Sequence, residues 1–157
     1  MRIMLFTALL IGCCGYALWR GGAPERIVGA ALAAAYVATV LTYSSLPQRF
    51  VAVEIGTLAV DLTLLVVLVA VAVCADRFWP FIVGGLHLSS VGAHLLKYLD
   101  VNMIRVTYAL MIAMWSYPML IALAIGTRRH QLRLKRQGYD LAWTVRDGHE
   151  HGQAGPA

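Results

Sequence analysis

Five apolar stretches run along the chain, separated by short polar or turn-forming segments. None of them alternates between apolar and polar positions, so the pattern favours helices over strands. Their lengths suit helices that cross a hydrocarbon core about 30 Å thick, which takes roughly 20 residues. We therefore predict an all-α membrane protein, a bundle of about five transmembrane helices within residues 1–127. The predicted spans cover about residues 3–19, 27–43, 51–74, 78–96 and 102–126.

The fourth stretch admits an alternative fold. It holds the most polar and glycine residues of the five, including His87 and His94. A protein with four spans, in which this stretch forms a re-entrant or interfacial helix, fits the same pattern. Residues 128–157 form a basic cytoplasmic tail, which we expect to be disordered toward its Gly-containing end.

The composition excludes an ordinary soluble domain. Of the 157 residues, 60% are hydrophobic and 13% are charged, and the mean hydropathy is +0.70. A soluble domain carries about a quarter charged residues, which cover its surface. The chain can therefore hold several membrane spans, but no separate soluble domain of ordinary size.

The basic residues predict the orientation. With five spans and an uncleaved N-terminus, a cytoplasmic tail places eight Lys and Arg residues near the spans inside and four outside, as the positive-inside rule prefers. The run Leu10–Ile11–Gly12–Cys13 resembles a lipoprotein processing box, but cleavage there inverts the loops and leaves eight basic residues outside. The apolar run also continues past Cys13 to Trp19. We expect a bacterial inner-membrane protein with its N-terminus outside and its C-terminus in the cytoplasm.

Four ionisable residues lie inside the third and fourth predicted spans. Glu54 and Asp61 are seven residues apart, as are His87 and His94, so each pair shares one helix face. Because the two spans run in opposite directions, Asp61 and His87 are expected at one depth, and Glu54 and His94 at another. We predict two carboxylate–imidazole pairs, with Arg105 near the level of Glu54.

These pairs allow three interpretations: hydrogen bonds that hold helices together, a proton- or cation-linked role, and metal or ligand binding. The two levels are about 10.5 Å apart along the helix, so one metal ion cannot bind at both. Each level offers two ligands, whereas zinc takes at least three from the protein. A haem held by two histidines needs both at one depth. We therefore expect no metal site and no cofactor.

Small residues form a stripe on the fourth span, roughly opposite its histidines. Such stripes let helix backbones approach closely. Internal packing of the bundle is one interpretation, and self-association or docking to a larger membrane complex is the other. The second span repeats the pattern more briefly. The candidate helix-packing residues are Gly85, Ser89 and Gly92 in the fourth span and Gly29 and Ala33 in the second.

Five basic residues follow the fifth span within nine positions: Arg128, Arg129, Arg133, Lys135 and Arg136. We expect this run to continue the fifth helix and to contact anionic lipid headgroups, each basic residue contributing about 1 kcal/mol near the surface. Alternatively, these residues only determine topology during insertion. Their position directly after an apolar helix favours lipid as the partner, and we expect no nucleic acid.

Three segments, RGGAPERIVGA, DRFWPFIVGGLHLSSVGAHL and MWSYPMLIALAIGTRRH, resemble those of a group of small, uncharacterised polytopic membrane proteins of proteobacteria. The similarity covers about residues 1–130. It implies an inner-membrane location and implies no activity and no functional residue.

Two classes of function follow from these observations. The first is a non-enzymatic accessory or assembly component that packs against membrane partners. The alternative is a transport or sensing protein that binds a proton or cation at buried carboxylate–histidine pairs. The chain has no G-x-S-x-G, phosphate-loop or H-E-x-x-H motif, so we expect no enzyme.

Overall fold

A computed structural model describes residues 2–45, 52–75, 77–99, 105–138 and 140. Within these residues the chain is all-helical and has no strand, which confirms the predicted all-α architecture. The helices are α1 (Arg2–Arg20), α2 (Ala23–Ser45), α3 (Ala52–Cys74), α4 (Trp79–Leu99) and α5 (Arg105–Gln137). α1 passes through Cys13 without a break, and α5 continues well beyond the last apolar residue of its span.

The helix ends follow from local backbone chemistry. Pro24 and Pro80 each lie at the second residue of a helix, where a missing N–H leaves no hydrogen bond unmade. The chain leaves α5 at Gly138, whose φ of +75° lies in the left-handed region that favours glycine. The Gly138 N–H donates to the carbonyl of Leu134 at 3.0 Å and so closes the last turn.

The five helices form a closed ring of neighbours. Each helix contacts the next one along the chain, α5 returns to contact α1, and α2 also touches α5 across the middle. The ends of α1, α3 and α5 meet the starts of α2 and α4 at one end of the ring. The Gln131 amide of α5 donates to the Arg20 carbonyl, and Trp79 of α4 bonds Glu25 of α2 there. We call this the basic end.

Apolar side chains cover the outside of the bundle as well as fill its core. Buried residues of every helix form one cluster, with Leu68, Val83 and Leu123 fully enclosed. Phe6 packs against both Tyr36 and Tyr117, with ring centroids 6.0 and 5.5 Å apart. The outer surface carries many large apolar side chains, and four of them are 77–79% exposed: Ile3, Met4, Trp19 and Phe78. Water solvates such a surface poorly, whereas lipid tails match it.

Three of the described helices are long and apolar enough to cross a membrane: Ile3–Arg20, Ala23–Thr42 and Ile55–Cys74. This finding indicates a membrane protein. The five predicted spans place the remaining two crossings in α4 and α5, and that finer topology stays a prediction.

Candidate functional site

The Asp61 carboxylate lies between α3 and α4, near the middle of α3. His94 Nε2 donates to Asp61 Oδ2 at 2.9 Å. Both side chains are largely enclosed, and the imidazole is the more buried of the two. A carboxyl group in this position is costly unless it is hydrogen-bonded, and His94 supplies that bond.

His87 contacts the same residue through the main chain. Its Nε2 lies 2.9 Å from the carbonyl oxygen of Asp61. Since a carbonyl only accepts, His87 Nε2 carries the hydrogen and donates it. Asp61, His87 and His94 therefore form one group, which we call the mid-bundle cluster.

This arrangement corrects the predicted pairing of Asp61 with His87. The Asp61 carboxylate bonds the other histidine, one level closer to the start of α3. Side chains on a helix tilt toward its N-terminus, and carbonyls point toward its C-terminus. α4 runs antiparallel to α3, so the tilted Asp61 side chain meets His94 and the Asp61 carbonyl meets His87. Matching the depths of the α-carbons alone overlooked this tilt.

The structure does not test the second predicted pair, Glu54 with His94. The side chains of Glu54 and Arg105 lie outside the described residues, so the predicted level of Glu54, His94 and Arg105 stays a prediction. In the part of the chain that the structure describes, no group of three or more His, Cys, Asp or Glu side chains could hold a metal ion.

A second polar group occupies the basic end and centres on Asp140. Arg77 Nη2 donates to Asp140 Oδ2 at 2.7 Å, and His130 Nδ1 donates to the same oxygen at 2.5 Å. Arg133 Nε donates to Asp140 Oδ1 at 3.0 Å. The side chains of Arg77 and Asp140 are only 4% and 5% exposed. Three donors therefore enclose one carboxylate that lies just beyond the end of α5.

Glu25 lies next to this centre and is fully buried. Trp79 Nε1 donates to Glu25 Oε1 at 3.3 Å, and Glu25 Oε2 is buried without a hydrogen-bond partner. We call the whole set the basic-end cluster. It comprises Glu25, Arg77, Trp79, His130, Arg133 and Asp140.

Two glycines let the backbone approach this cluster. A Cβ on Gly22 would lie 2.9 Å from His130 Cε1 and 3.0 Å from Glu25 Oε2. A Cβ on Gly126 would lie 2.8 Å from ring atoms of Trp79. Real Cβ atoms essentially never lie within 3.0 Å of such a neighbour. A side chain at Gly126 would therefore displace the buried Trp79 ring, and one at Gly22 would displace the ends of the His130 and Glu25 side chains.

The predicted helix-packing residues separate into an inner and an outer group. A Cβ on Gly29 would lie 3.2 Å from the Ala17 Cβ, so Gly29 serves close packing of α2 on α1. Ala33 also packs against the core. A Cβ on Gly85 or Gly92, by contrast, would meet nothing within 4 Å. These two glycines and Ser89, which is exposed, form the α4 stripe on the outer face of the bundle.

The predicted lipid-contact residues also divide into two sets. Arg133 points inward and bonds Asp140, with a side chain that is 35% exposed. The other four are exposed along the C-terminal part of α5. They are Arg128, Arg129, Lys135 and Arg136.

The sequence predictions missed the basic-end cluster. Glu25, Arg77 and His130 lie at the edges of the apolar stretches, where charged residues ordinarily face water and headgroups. One signal was available: RGGAPER, DRFWP and GTRRH each combine an ionisable residue with glycine, proline or tryptophan at a span end. Their meeting in space depends on the ring of helices, which a pattern along the chain does not specify.

No family model, curated protein or solved structure matches the chain. The resemblance to small proteobacterial membrane proteins therefore stays a prediction. The function has to be inferred from the geometry of the two clusters and of the α4 stripe.

Proposed function

We propose that this chain is a small non-enzymatic protein of the bacterial inner membrane that packs against a membrane partner through the α4 stripe. The observation that supports it is the open space over Gly85 and Gly92. Its role would be that of an accessory or assembly component, with the N-terminus outside and the basic end in the cytoplasm.

The stripe has the features of a helix-docking surface. Small residues allow two backbones to approach closely in lipid, where packing rather than water exclusion drives association. The Ser89 hydroxyl donates to the carbonyl of Gly85 at 3.2 Å, so the stripe presents no unmet donor to a partner. Exposed apolar side chains border it on both sides, including Ile82 and Leu88.

The proposed occupant is an apolar transmembrane helix of a partner protein. A shallow groove of small residues bordered by Phe81, Ile82 and Leu88 fits a helix better than a charged or extended segment. The opposite face of α4 already carries His87 and His94 toward α3. A partner helix on the stripe would therefore complete the burial of α4 without disturbing the mid-bundle cluster.

The test compares Gly92→Leu with Gly15→Leu after purification of the full chain in mild detergent. A Cβ meets nothing within 4 Å at either position, so both variants are expected to fold. Native mass spectrometry should show a stoichiometric partner with the wild type and with Gly15→Leu, and its loss with Gly92→Leu. A wild-type protein that purifies only as a lone monomer would contradict the proposal.

A second candidate is favoured by the mid-bundle cluster. An enclosed carboxylate that bonds one histidine by its side chain and another by its main chain is a site where a proton can bind. Proton- or cation-linked transport or sensing would use Asp61 and His94 as the binding pair. The competing interpretation is that these contacts only hold α3 and α4 together, contributing about 0.6–2 kcal/mol each.

Proteoliposomes with an enclosed pH-sensitive dye distinguish these interpretations. Proton-linked transport predicts a flux above that of empty liposomes, which Asp61→Asn abolishes and Asp61→Glu retains at least in part. A flux equal to that of empty liposomes, or one that Asp61→Asn leaves unchanged, would exclude proton transport through this cluster.

Anionic lipid is the proposed partner of the exposed part of α5. Four basic side chains face outward there, at the end of a helix that leaves the apolar region. Arg133 is no longer part of this proposal, because its side chain bonds Asp140.

A further inference from the structure

The donors around Asp140 come from separate parts of the chain. Arg77 lies between α3 and α4, whereas His130 and Arg133 lie one turn apart on α5. They meet on a single carboxylate, with donor–acceptor distances of 2.5–3.0 Å. Guanidinium and imidazole groups that converge in this way are typical of sites for carboxylate and phosphate groups.

The side chains around Asp140 carry more hydrogen-bond donors than its carboxylate accepts from. Asp140 Oδ2 takes two donors and Oδ1 takes Arg133 Nε, while Arg133 Nη2 is buried without a partner. The Nε and Nη2 groups of arginine form a fork that suits two oxygens of one anion. A tetrahedral phosphate group has more outer oxygens than a carboxylate, so it can accept from both arms of this fork.

Asp140 lies outside the described helices, two residues after Gly138 and beyond the end of α5. Arg136 and Lys135 are exposed on the same turn of α5 and attract anions to this end of the bundle. The carboxylate therefore reaches the site from beyond the end of α5 rather than from a helix of the bundle.

The formal charge limits the ligand. Two arginines bond Asp140, and buried Glu25 and His130 both approach Gly22. A phosphate group with one negative charge carries the same formal charge as the Asp140 carboxylate that it would replace.

We propose that Arg77, His130 and Arg133 form a binding site for a phosphate group, and that the Asp140 carboxylate closes this site by occupying it. The phosphate group belongs either to a soluble ion or to the headgroup of an anionic phospholipid at the cytoplasmic surface. Asp140 competes as a ligand in the same chain, so its removal should strengthen the binding of a phosphate group.

The test uses the full chain in detergent and the variant Asp140→Asn, which removes the competing charge and keeps the side-chain size. Isothermal titration with inorganic phosphate should show binding at least about tenfold tighter than in the wild type. Adding Arg133→Gln to Asp140→Asn should abolish the gain. The matched control adds Arg26→Gln instead, since Arg26 is exposed and lies outside both the donor set and the proposed lipid-contact residues.

A second experiment, with lipid, distinguishes a soluble phosphate ion from a phospholipid headgroup. Nanodiscs with phosphatidylglycerol are compared with nanodiscs of phosphatidylcholine, and retained lipid is counted by native mass spectrometry. A gain with inorganic phosphate indicates a soluble ligand, and a gain restricted to phosphatidylglycerol indicates a headgroup. No gain in either arm, or a gain that Arg133→Gln leaves intact, would overturn the proposal.

The proposal stays testable if Asp140→Asn is unstable. Loss of the carboxylate removes the acceptor that Arg77 and Arg133 share, and a phosphate group should replace it as that acceptor. The melting temperature of Asp140→Asn should then rise with phosphate and not with chloride at equal ionic strength. An equal response to both salts would contradict the site.

Discussion

The mid-bundle cluster and the basic-end cluster both enclose a carboxylate, but they connect different amounts of the molecule. Asp61, His87 and His94 join two neighbouring helices. The basic-end cluster joins α2 to α4 through Glu25 and Trp79, and it joins Arg77 and α5 through Asp140. The polar contacts deep in the bundle thus connect only α3 and α4, whereas those at the basic end connect α2, α4 and α5.

The partners differ in charge as well. Arg77 and Arg133 are charged at any accessible pH, whereas His87 and His94 can remain neutral. Removing one member of a buried charge pair leaves the other uncompensated, which costs more than losing a hydrogen bond between groups that can both be neutral. The stability of the protein should therefore depend more on the basic end than on the mid-bundle cluster.

The largest expected effect is that of Arg77→Gln. It removes the closest arginine of the buried Asp140 carboxylate, which keeps Arg133, so we expect a loss of up to about 3–5 kcal/mol, the cost of breaking a buried pair completely. Unfolding by SDS titration in mixed micelles measures the loss. Arg136→Gln is the control, because an exposed residue away from the cluster should change stability by less than about 0.5 kcal/mol. Equal unfolding midpoints for the two variants would contradict the claim that the basic-end cluster contributes most to stability.

Gly126→Ala tests the packing at the basic end. The added methyl group would lie 2.8 Å from the Trp79 ring, which is itself buried, so we expect a loss of about 1–3 kcal/mol. Gly92→Ala is the matched control, since nothing lies within 4 Å there and alanine favours the helix by up to about 1 kcal/mol. The two substitutions should shift the unfolding midpoint in opposite directions. A shift in the same direction would mean that the Trp79 ring moves away from the added methyl group without loss of stability.

A pair of double-mutant cycles tests the corrected pairing in the mid-bundle cluster. The cycle of Asp61→Leu with His94→Leu should give a coupling free energy of about 0.6–2 kcal/mol. The cycle with His87→Leu should give almost none, because His87 bonds the main chain of Asp61, which the substitution keeps. A larger coupling with His87 than with His94 would restore the pairing predicted from depth alone.

The smallest expected effect on stability comes from the exposed basic residues of α5. Changing Arg128, Arg129, Lys135 and Arg136 together to Gln should leave the unfolding midpoint nearly unchanged. Copurified anionic lipid should fall, while reporter fusions at residue 22 and at the C-terminus should still report the cytoplasm. Unchanged lipid content would assign these residues to topology alone.

The helical architecture could be predicted because membrane-length apolar runs leave the backbone few alternatives. The start of the second helix was predicted less accurately. α2 begins at Ala23, ahead of the predicted residue 27, because Pro24 and Glu25 start the helix before its apolar run. The predicted continuation of the fifth helix through the basic run is confirmed, since α5 extends to Gln137 on residues that are polar but form helices well. Apolar pattern locates the part of a helix that meets lipid, and capping chemistry locates its ends.

The clusters show what sequence patterns miss. The spacing of His87 and His94 correctly indicated that both face α3, but not which atom of Asp61 each one reaches. Asp140 was assigned to a polar tail, although the turn at Gly138 places its carboxylate among three donors. Contacts within one helix face can be inferred from a period, whereas contacts among helix ends depend on the arrangement of the whole ring.

Photo-crosslinking in native membranes tests most directly whether the α4 stripe receives a partner helix. A photoreactive amino acid replaces Ser89 on the stripe or, as the control, Val66 on the exposed face of α3. We expect Ser89 to give one discrete protein adduct that Gly92→Leu abolishes, and Val66 to label only lipid. If Ser89 labels only lipid, as Val66 does, the stripe has no partner and the proposed function is wrong.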